Sequence, residues 1–233
     1  MRSISLLFIF ISFGAFSQNL FINPDFEMHS ACPTNLGQFF LADGWSTPNT
    51  GTPDYFNDCS VSYDFGTEFN KKGGQIAHSG HAYIGIQFKN LHSNYFYEYI
   101  ETKLKNPLDA GQLYCMSLFV SLGNSDCALK ELGAVASQNV IRTNDPSRID
   151  LPYIPLTGPG VLSDSTAWTC IRGTYKAKGG EQFITIGYFS EQNTFLRLQM
   201  DPKLDSTFFS AYYFIDDVTF SPVKTPADCF CIK

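Results

Sequence analysis

The stretch Tyr212-Tyr213-Phe214-Ile215-Asp216-Asp217-Val218-Thr219-Phe220 predicts a β-strand, because aromatic and β-branched residues make up nearly all of it. The two adjacent carboxylates of Asp216 and Asp217 interrupt this apolar run. A buried charge is costly unless it is paired or holds a metal. Near the other end of the chain, Asn23-Pro24-Asp25-Phe26-Glu27 again places carboxylates among apolar residues. We therefore predict that the two ends of one β-rich chain meet, with a cation as a candidate occupant between them.

Short runs of strand-forming residues recur between Gly, Pro, Asn and Asp. The clearest runs span residues 82–88, 96–104, 113–122, 168–175, 182–188 and 211–220. In the run 113–122 the residues alternate in character with a period of two, which predicts a half-buried antiparallel strand. Helical periodicity is nearly absent, and residues 128–132 fit either a helical turn or a strand. The pattern predicts an all-β, antiparallel jelly-roll β-sandwich with long loops.

The first 17 residues have the features of a secretion signal. Arg2 precedes a short apolar run at residues 4–16, and Ala15-Phe16-Ser17 fits a small-x-small cleavage site. The run is shorter than the ~20 residues that a membrane-spanning helix needs, so no membrane span is expected after cleavage. The predicted division is a signal peptide at 1–17, a jelly-roll domain at 18–220 and a C-terminal tail, linker or terminal clasp at 221–233.

Charge and cysteine content narrow the class of protein. A net charge of −6 argues against nucleic acid and against anionic membrane surfaces as partners. Seven cysteines in an exported chain favour disulfides. Cys32 and Cys59 flank a Gly-, Pro- and Asn-rich stretch, and we expect a disulfide between them to hold it. Zinc is the alternative, but the sequence contains no Cys-x2-Cys pair.

Signatures of catalysis are missing from the sequence. The segment Gly123-Asn124-Ser125-Asp126-Cys127 lacks the final glycine of a nucleophile elbow. A carboxylate pair for glycoside hydrolysis needs only spatial proximity, so such a pair remains open. The candidates for it, which also fit turn-forming roles, are Asp54, Asp58, Asp64 and Glu68. We expect no enzyme, with an extracellular glycoside hydrolase as the weaker alternative.

An ordered set of short motifs extends over most of the chain after residue 17. The motifs are Asn23-Pro24-x-Phe26-Glu27, Gly44-Trp45, Ala77-His78-Ser79-Gly80-x-Ala82, Tyr114-x-Met-x-Leu-x-Val, Trp168 with Gly173-x-Tyr175, and Tyr213-x-Ile215-Asp216-Asp217-Val218. Together they resemble the galactose-binding-like jelly-roll domains of the family 4/9/22 carbohydrate-binding modules. The resemblance implies a secreted or cell-surface, non-catalytic protein that binds a polysaccharide or cell-surface glycan.

The resemblance also implies a structural calcium ion between the first and last strands, near the Ser-Gly turn. Glu27 and Asp216 are its main candidate ligands, and Asp25 and Asp217 are the weaker ones. Carboxylate and carbonyl oxygens are the ligands that calcium prefers. Alternatively, these acids cap turns or accept backbone hydrogen bonds without an ion. Because side chains alternate along a strand, at most one of Asp216 and Asp217 is expected to face such a site.

Glycan binding requires aromatic rings that stack on the apolar faces of sugars. The candidate rings are Trp45, Tyr55, Tyr95, Tyr97 and Tyr99. The last three alternate along the chain, so they could line one face of a sheet as a binding platform. The same alternation also fits a buried core face, and both interpretations stay open.

A narrower resemblance concerns exported proteins of gliding Bacteroidetes. It rests on Cys32-Pro33-Thr34, Gly51-Thr52-Pro53-Asp54-Tyr55-Phe56-Asn57-x-Cys59 and Tyr97-Glu98-Tyr99-Ile100. In those proteins such a domain often precedes a surface-anchoring region. We therefore expect either a free secreted form or part of a longer chain. The alternative function is a structural or adhesive cell-surface protein whose partner is a protein or the envelope.

Overall fold

The computed structural model describes residues 18–91, 94–190, 195–198 and 209–231 of the chain. Within these ranges the chain forms thirteen strands and two 3-10 helices, Phe39–Leu41 and Pro226–Asp228. The strands are β1 (Trp45–Ser46), β2 (Asp54–Asn57), β3 (Ala82–Leu91), β4 (Asn94–Tyr97), β5 (Ile100–Lys103), β6 (Leu113–Leu122), β7 (Cys127–Leu129), β8 (Glu131–Ser137), β9 (Ile154–Thr157), β10 (Thr169–Lys176), β11 (Phe183–Gly187), β12 (Phe195–Arg197) and β13 (Phe209–Val223). The predicted signal peptide at 1–17 lies outside the described residues and stays a prediction.

Eleven of these strands join into one antiparallel sheet, and β7 and β12 form a separate pair. The order is β1-β5-β11-β8-β9-β10-β6-β13-β3-β2, with β4 also paired to β3. A single residue pair, Arg172 with Thr157, joins β10 to β9. Ile86 of β3 and Ile184 of β11 nevertheless belong to one hydrophobic core, because the sheet curls and its two halves pack together. The fold is the predicted all-β jelly-roll sandwich.

All six predicted strands are present, although the run 96–104 is divided. Glu98 and Tyr99 separate β4 from β5 within it. Residues 128–132, for which helix and strand were both open, belong mainly to β7 and β8. Six short strands lie outside the six predicted runs, namely β1, β2, β7, β8, β9 and β12. They have two to seven residues each, too few for a clear alternating pattern.

Strand β6 is buried on both faces rather than half-buried as its pattern predicted. Leu118 belongs to the main core. On the opposite face, the Ser117 and Thr219 hydroxyls lie 2.6 Å apart, and the Ser121 hydroxyl accepts a hydrogen bond from the Gln75 side chain at 2.8 Å. The polar face is buried because neighbouring segments cover it and satisfy its hydroxyl groups.

A second, smaller hydrophobic cluster lies on the outer face of the β2-β3-β13 half of the sheet. Its buried members are Phe56, Tyr83, Tyr212 and Phe214, and Leu36, Ala77 and Trp168 pack against them. Adjacent residues on β3 serve different clusters, since Ile84 faces the main core and Tyr83 the outer one. The loop between β2 and β3 covers this outer cluster. One side of the loop therefore packs on the cluster, and the other side is exposed to solvent.

The two ends of the jelly roll lie side by side, as predicted. The Leu20 amide donates to the Phe220 carbonyl at 2.8 Å, and the Val218 amide donates to the Pro24 carbonyl at 2.8 Å. The N-terminal segment therefore runs along the end of β13.

Three disulfides join segments that are distant in the chain. Cys32 pairs with Cys59, which confirms the predicted pairing. Cys229 and Cys231 pair with Cys115 on β6 and Cys170 on β10, so the tail is fastened to two adjacent strands as a terminal clasp. Cys127, buried in β7, is the one cysteine outside these pairs. Three disulfides are typical of proteins from oxidising, extracellular compartments. Among the described residues no helix has the length and apolarity needed to cross a membrane.

Candidate functional site

An open cleft of about 560 Å³ is formed by the loop between β2 and β3. Its lining residues are Asp58, Ser60, Val61, Ser62, Tyr63, Gly66, Thr67, Glu68, Phe69 and Ile76. Apolar and polar side chains are mixed along this surface. The volume is in the usual range of small-ligand sites, about 300–1,000 Å³.

Two aromatic rings of the cleft are largely exposed to solvent. Tyr63 is 90% exposed and Phe69 is 64% exposed, and the aliphatic side chains of Val61 and Ile76 are exposed beside them. Single exposed apolar residues are common on protein surfaces, but here four of them line one cleft and form a shared apolar surface. A ligand can therefore contact the faces of these rings without any rearrangement of the core.

The backbone of the cleft is held from below. The Tyr83 hydroxyl lies 2.7 Å from the Thr67 carbonyl and accepts a hydrogen bond from Asn70 at 2.8 Å. The Trp168 indole donates to the Ile76 carbonyl at 2.8 Å. The Cys32–Cys59 disulfide ties the start of the loop to the preceding segment. These contacts fix the loop on the outer hydrophobic cluster, so the exposed rings project from an ordered base.

Two carboxylates supply the charge at the cleft. Asp58 accepts a hydrogen bond from the Thr67 hydroxyl, and its Oδ2 lies 3.2 Å from His81 Nδ1. Glu68 is exposed, and its carboxylate has no hydrogen-bond or ion-pair partner within the described part of the chain. The hydroxyl groups of the lining serines add neutral donors and acceptors. Rings flanked by such groups can hold a ligand that has both apolar faces and hydroxyl groups.

Four of the five aromatic residues predicted to bind a glycan are instead part of the core. Trp45, Tyr55, Tyr97 and Tyr99 are all buried. Their ring faces contact other core side chains and cannot stack on a sugar in this conformation. Tyr95 belongs to β4, but its side chain lies outside the described part of the chain. Of the three alternating tyrosines that suggested a platform, Tyr97 and Tyr99 therefore face the core.

Hydrogen bonds of these buried rings explain why polar aromatics occur in the core. The Trp45 indole donates to the Asn23 carbonyl at 2.7 Å. The Tyr55 hydroxyl donates to the Phe26 carbonyl at 3.0 Å. Each ring buries a large apolar body while its polar atom is satisfied by a backbone carbonyl.

The predicted acidic residues converge on a second place, the turn at residues 78–82. Asp216 Oδ2 accepts hydrogen bonds from the His78 and Ser79 amides, at 2.9 and 3.2 Å. Glu27 Oε1 accepts hydrogen bonds from the amides of His81 and Ala82 at 2.7 and 2.8 Å.

The remaining two candidates differ in their environment. Asp217 accepts a hydrogen bond from the Ser79 hydroxyl at 2.7 Å and contacts His78 Nδ1. Asp25 is half-buried, and its side chain makes no hydrogen bond within the described ranges. Glu27, Asp216 and Asp217 are thus brought together by one turn, whereas Asp25 is not.

Both Asp216 and Asp217 contact this turn, so the expectation from strand alternation was wrong. The register between β13 and β6 shifts between Asp216 and Thr219, which marks a bulge. Asp217 lies in the bulge with a φ of 48°, in the left-handed region that aspartate tolerates better than most residues. The bulge turns the second carboxylate to the same side as the first.

The Asp216 carboxyl is fully buried next to a second acid. Burial, followed by the charge of Asp217, raises its pKa to about 8, although three backbone amides oppose the shift. A cation at this turn would favour the ionised form. Among the described residues no group of three or more His, Cys, Asp or Glu side chains is placed to hold a metal ion. Carboxylate oxygens are among the ligands that calcium prefers, and calcium at this turn stays a prediction.

The residues of the cleft were not among the binding residues predicted from the sequence. Tyr63 and Phe69 lie in a turn-rich stretch without strand periodicity, although Phe65 between them is buried. That combination, an aromatic residue inside a long loop that a disulfide holds, is the signal that could have identified them.

Comparisons with known proteins give similar solved structures but no similar sequence. No protein-family model and no curated protein sequence matches the chain. Similar solved structures include the CBM22-1 xylan-binding domain of Xyn10C from Paenibacillus barcinonensis, with 13% identity, a TM-score of 0.44, and 90% of this chain and 97% of that one covered.

Two further structures illustrate the range of proteins with this fold. TmCBM61 in complex with β-1,4-galactotriose has 12% identity and a TM-score of 0.37, and covers 89% of this chain and 100% of its own. The K3 cleaved adhesin domain of Lys-gingipain from Porphyromonas gingivalis has 15% identity and a TM-score of 0.38, with 88% and 98% covered. The TM-scores of these structures are below 0.5, so the jelly roll rests on the strand arrangement of this chain, and no property of these proteins is transferred to it.

Proposed function

We propose that this chain is an extracellular, non-catalytic glycan-binding protein, and that a polysaccharide or cell-surface glycan binds in the cleft between β2 and β3. The observation that carries the proposal is the exposure of Tyr63 and Phe69 on one polar-rimmed cleft. A pyranose ring presents apolar C–H faces and polar edges. The exposed rings would stack on the faces, while the side chains of Asp58 and Glu68 would accept hydrogen bonds from the hydroxyl groups.

The placement of the carboxylates supports binding rather than hydrolysis. A glycosidase needs two carboxyl groups poised on either side of the scissile bond, one of them held as an acid. Asp58 is engaged by the Thr67 hydroxyl and lies beside His81, and Glu68 is exposed to solvent. This arrangement supports recognition of a ligand at a surface in contact with water.

We also propose that calcium stabilises the fold at the turn of residues 78–82, away from the glycan. Glu27 and Asp216 would hold the ion, with Asp217 and Asp25 as further candidates. Support comes from the three carboxylates that meet one turn and from the burial of Asp216 beside Asp217. Bound calcium would supply positive charge to acids taken from two distant parts of the chain.

The test is affinity of the purified chain for a broad panel of polysaccharides, with and without a calcium chelator. Saturable binding that is lost in Tyr63→Ala and in Phe69→Ala supports the proposed site. Binding that survives in both variants moves the site elsewhere on the surface. Absence of binding to any glycan overturns the proposal and favours a protein or envelope partner.

A further inference from the structure

The proposed function leaves open which class of glycan enters the cleft, and the charges at the cleft bear on this question. The lining contains two charged side chains, Asp58 and Glu68, and both are acidic. We infer that the cleft prefers glycans that carry protonated amino groups, such as polymers of glucosamine, to neutral and acidic glycans. This inference rests on the proposed function.

The lysines of the same loop do not neutralise the cleft. Lys71 Nζ lies 3.1 Å from Asp64 Oδ2 and 5.3 Å from the centre of the Phe65 ring. Lys72 Nζ lies 4.8 Å from the centre of the Tyr212 ring. Neither lysine lines the cleft. Both ammonium groups therefore have other partners, and the charged side chains that line the cleft are acidic only.

His81 is the other basic group that faces one of these acids. Its Nδ1 lies 3.2 Å from Asp58 Oδ2, and the ring lies outside the lining of the cleft. A protonated His81 would offset the charge of Asp58. The Glu68 carboxylate has no such partner within the described part of the chain. Glu68 is consequently the acid most available to a cationic ligand.

The exposed rings favour the same class of ligand. An ammonium group above the face of Tyr63 or Phe69 is attracted by the negative face of the ring, in addition to its attraction to Glu68. A carboxylate or sulfate in the same place would be repelled by both features. A ligand with hydroxyl groups but no ammonium group would gain only the uncharged contacts, which are hydrogen bonds and ring stacking. The charges and the rings thus both favour cationic glycans over neutral and anionic ones.

The experiment compares three oligosaccharides with the purified chain by calorimetry at low and high salt. These are a glucosamine oligomer, the N-acetylglucosamine oligomer of the same length, and a galacturonic acid oligomer. We expect the glucosamine oligomer to bind about fivefold more tightly than its acetylated counterpart, since exposed ion pairs and cation–π contacts are individually weak. The advantage should shrink at high salt, because screening weakens exposed charge pairs.

Two variants assign the preference to the cleft. Glu68→Gln keeps the size of the side chain but removes its charge, so the glucosamine oligomer should lose more affinity than the acetylated oligomer and the preference should fall. Asp150→Asn, which changes an exposed acid between β8 and β9 that does not line the cleft, is the matched control and should leave the preference intact.

The possible results separate this inference from the proposed function. Equal or tighter binding of the acetylated or the galacturonic acid oligomer overturns the inference but keeps glycan binding. A preference that Glu68→Gln leaves unchanged overturns the role of the cleft in charge selection. Failure of all three oligomers and of the wider polysaccharide panel overturns the proposed function as well.

Discussion

Asp216 Oδ2 accepts a hydrogen bond from the His78 amide at 2.9 Å, across 138 residues of sequence. The bond ties the last strand to the turn that precedes β3. Glu27 reaches the same turn from the N-terminal segment, through the amides of His81 and Ala82. Acidic side chains from both ends of the jelly roll thus accept hydrogen bonds from one short turn, and these bonds help to hold the two ends together.

The proposed calcium ion should make thermal stability depend on the metal. A ligand that binds only the folded state stabilises it by RT ln(1 + [L]/Kd), so calcium at about 100 times its Kd adds about 2.7 kcal/mol. We expect calcium to raise the melting temperature of the chelator-treated protein, with little effect in Glu27→Gln. Differential scanning fluorimetry measures the melting temperatures of the wild type and of Glu27→Gln. Equal melting temperatures of the wild type in calcium and in chelator would refute the proposed calcium site.

The turn also requires a glycine at position 80. Gly80 has a φ of +59°, and a Cβ there would lie 2.3 Å from Glu27 Oε1. We expect Gly80→Ala to destabilise the protein by roughly 2–3 kcal/mol, because it combines backbone strain with displacement of Glu27. Gly111→Ala is the matched control, since Gly111 has a φ of +79° with nothing within 4 Å of a Cβ. Urea denaturation measures both. Equal losses in the two variants would mean that the contact with Glu27 has no structural importance.

The exposed ring of Tyr63 should matter for binding and not for folding. Tyr63→Ala should weaken glycan binding at least about tenfold, as expected when stacking area worth about 1.5 kcal/mol or more is removed. The melting temperature should not change, because the ring is 90% exposed. Isothermal calorimetry and thermal melts measure the two effects.

Tyr55→Phe provides the opposite control, since this buried hydroxyl donates to the Phe26 carbonyl. It should lower stability by about 1 kcal/mol and leave the affinity for the glycan unchanged. The reverse pattern, with stability lost in Tyr63→Ala and affinity lost in Tyr55→Phe, would return the binding site to the residues predicted from the sequence.

The sequence predicted what local composition and repeated patterns determine. The fold, the long strands and the Cys32–Cys59 pair were predicted correctly. The side to which an aromatic residue faces was not predictable, because a strand that lines a core and a strand that lines a platform have the same alternation. Tyr97 and Tyr99 are buried only because of how the sheet curls.

The prediction that only one of Asp216 and Asp217 faces the acidic turn was wrong for a different reason. A bulge at Asp217 changes the direction of one carboxylate, and a single residue with positive φ leaves no periodic trace in the sequence. The pairing of Cys229 and Cys231 with the strand cysteines likewise depends on which strands are neighbours in the finished sheet.

The Cys32–Cys59 disulfide should support the cleft as well as the fold. The two residues are 27 apart in sequence, and chain-entropy arguments give a loss of about 3–4 kcal/mol for the double variant Cys32→Ser/Cys59→Ser. Glycan affinity should also fall, because the loop that carries Tyr63 starts at this bond. Removing Cys170–Cys231 should cost stability with no change in affinity. Comparable affinity in both double variants would show that the cleft is held by its hydrogen bonds alone.

Stability should depend on pH through Glu98, which is buried between β4 and β5. Its carboxylate accepts hydrogen bonds from the Gln87 and Thr52 amides at 2.7 and 3.2 Å. Burial, and then the nearby charge of Asp54, nevertheless raise the pKa of Glu98 from 4.5 to about 8. Between these two values the folded protein holds a proton that the unfolded chain releases. The stabilisation is therefore complete below the unfolded pKa and is lost as pH rises towards the folded pKa.

The expected slope is at most about 1.4 kcal/mol per pH unit from this one group. Glu98→Gln remains neutral at every pH, so the difference in unfolding free energy between the variant and the wild type should shift in favour of the variant as pH rises from about 5 to about 8. Urea denaturation across this range measures the difference, with Glu68→Gln as the exposed-acid control. The comparison at each pH cancels the similar contribution of Asp216, which both proteins retain. Parallel stability curves for the wild type and Glu98→Gln would mean that Glu98 is ionised in the folded protein, stabilised by the two amides despite its burial.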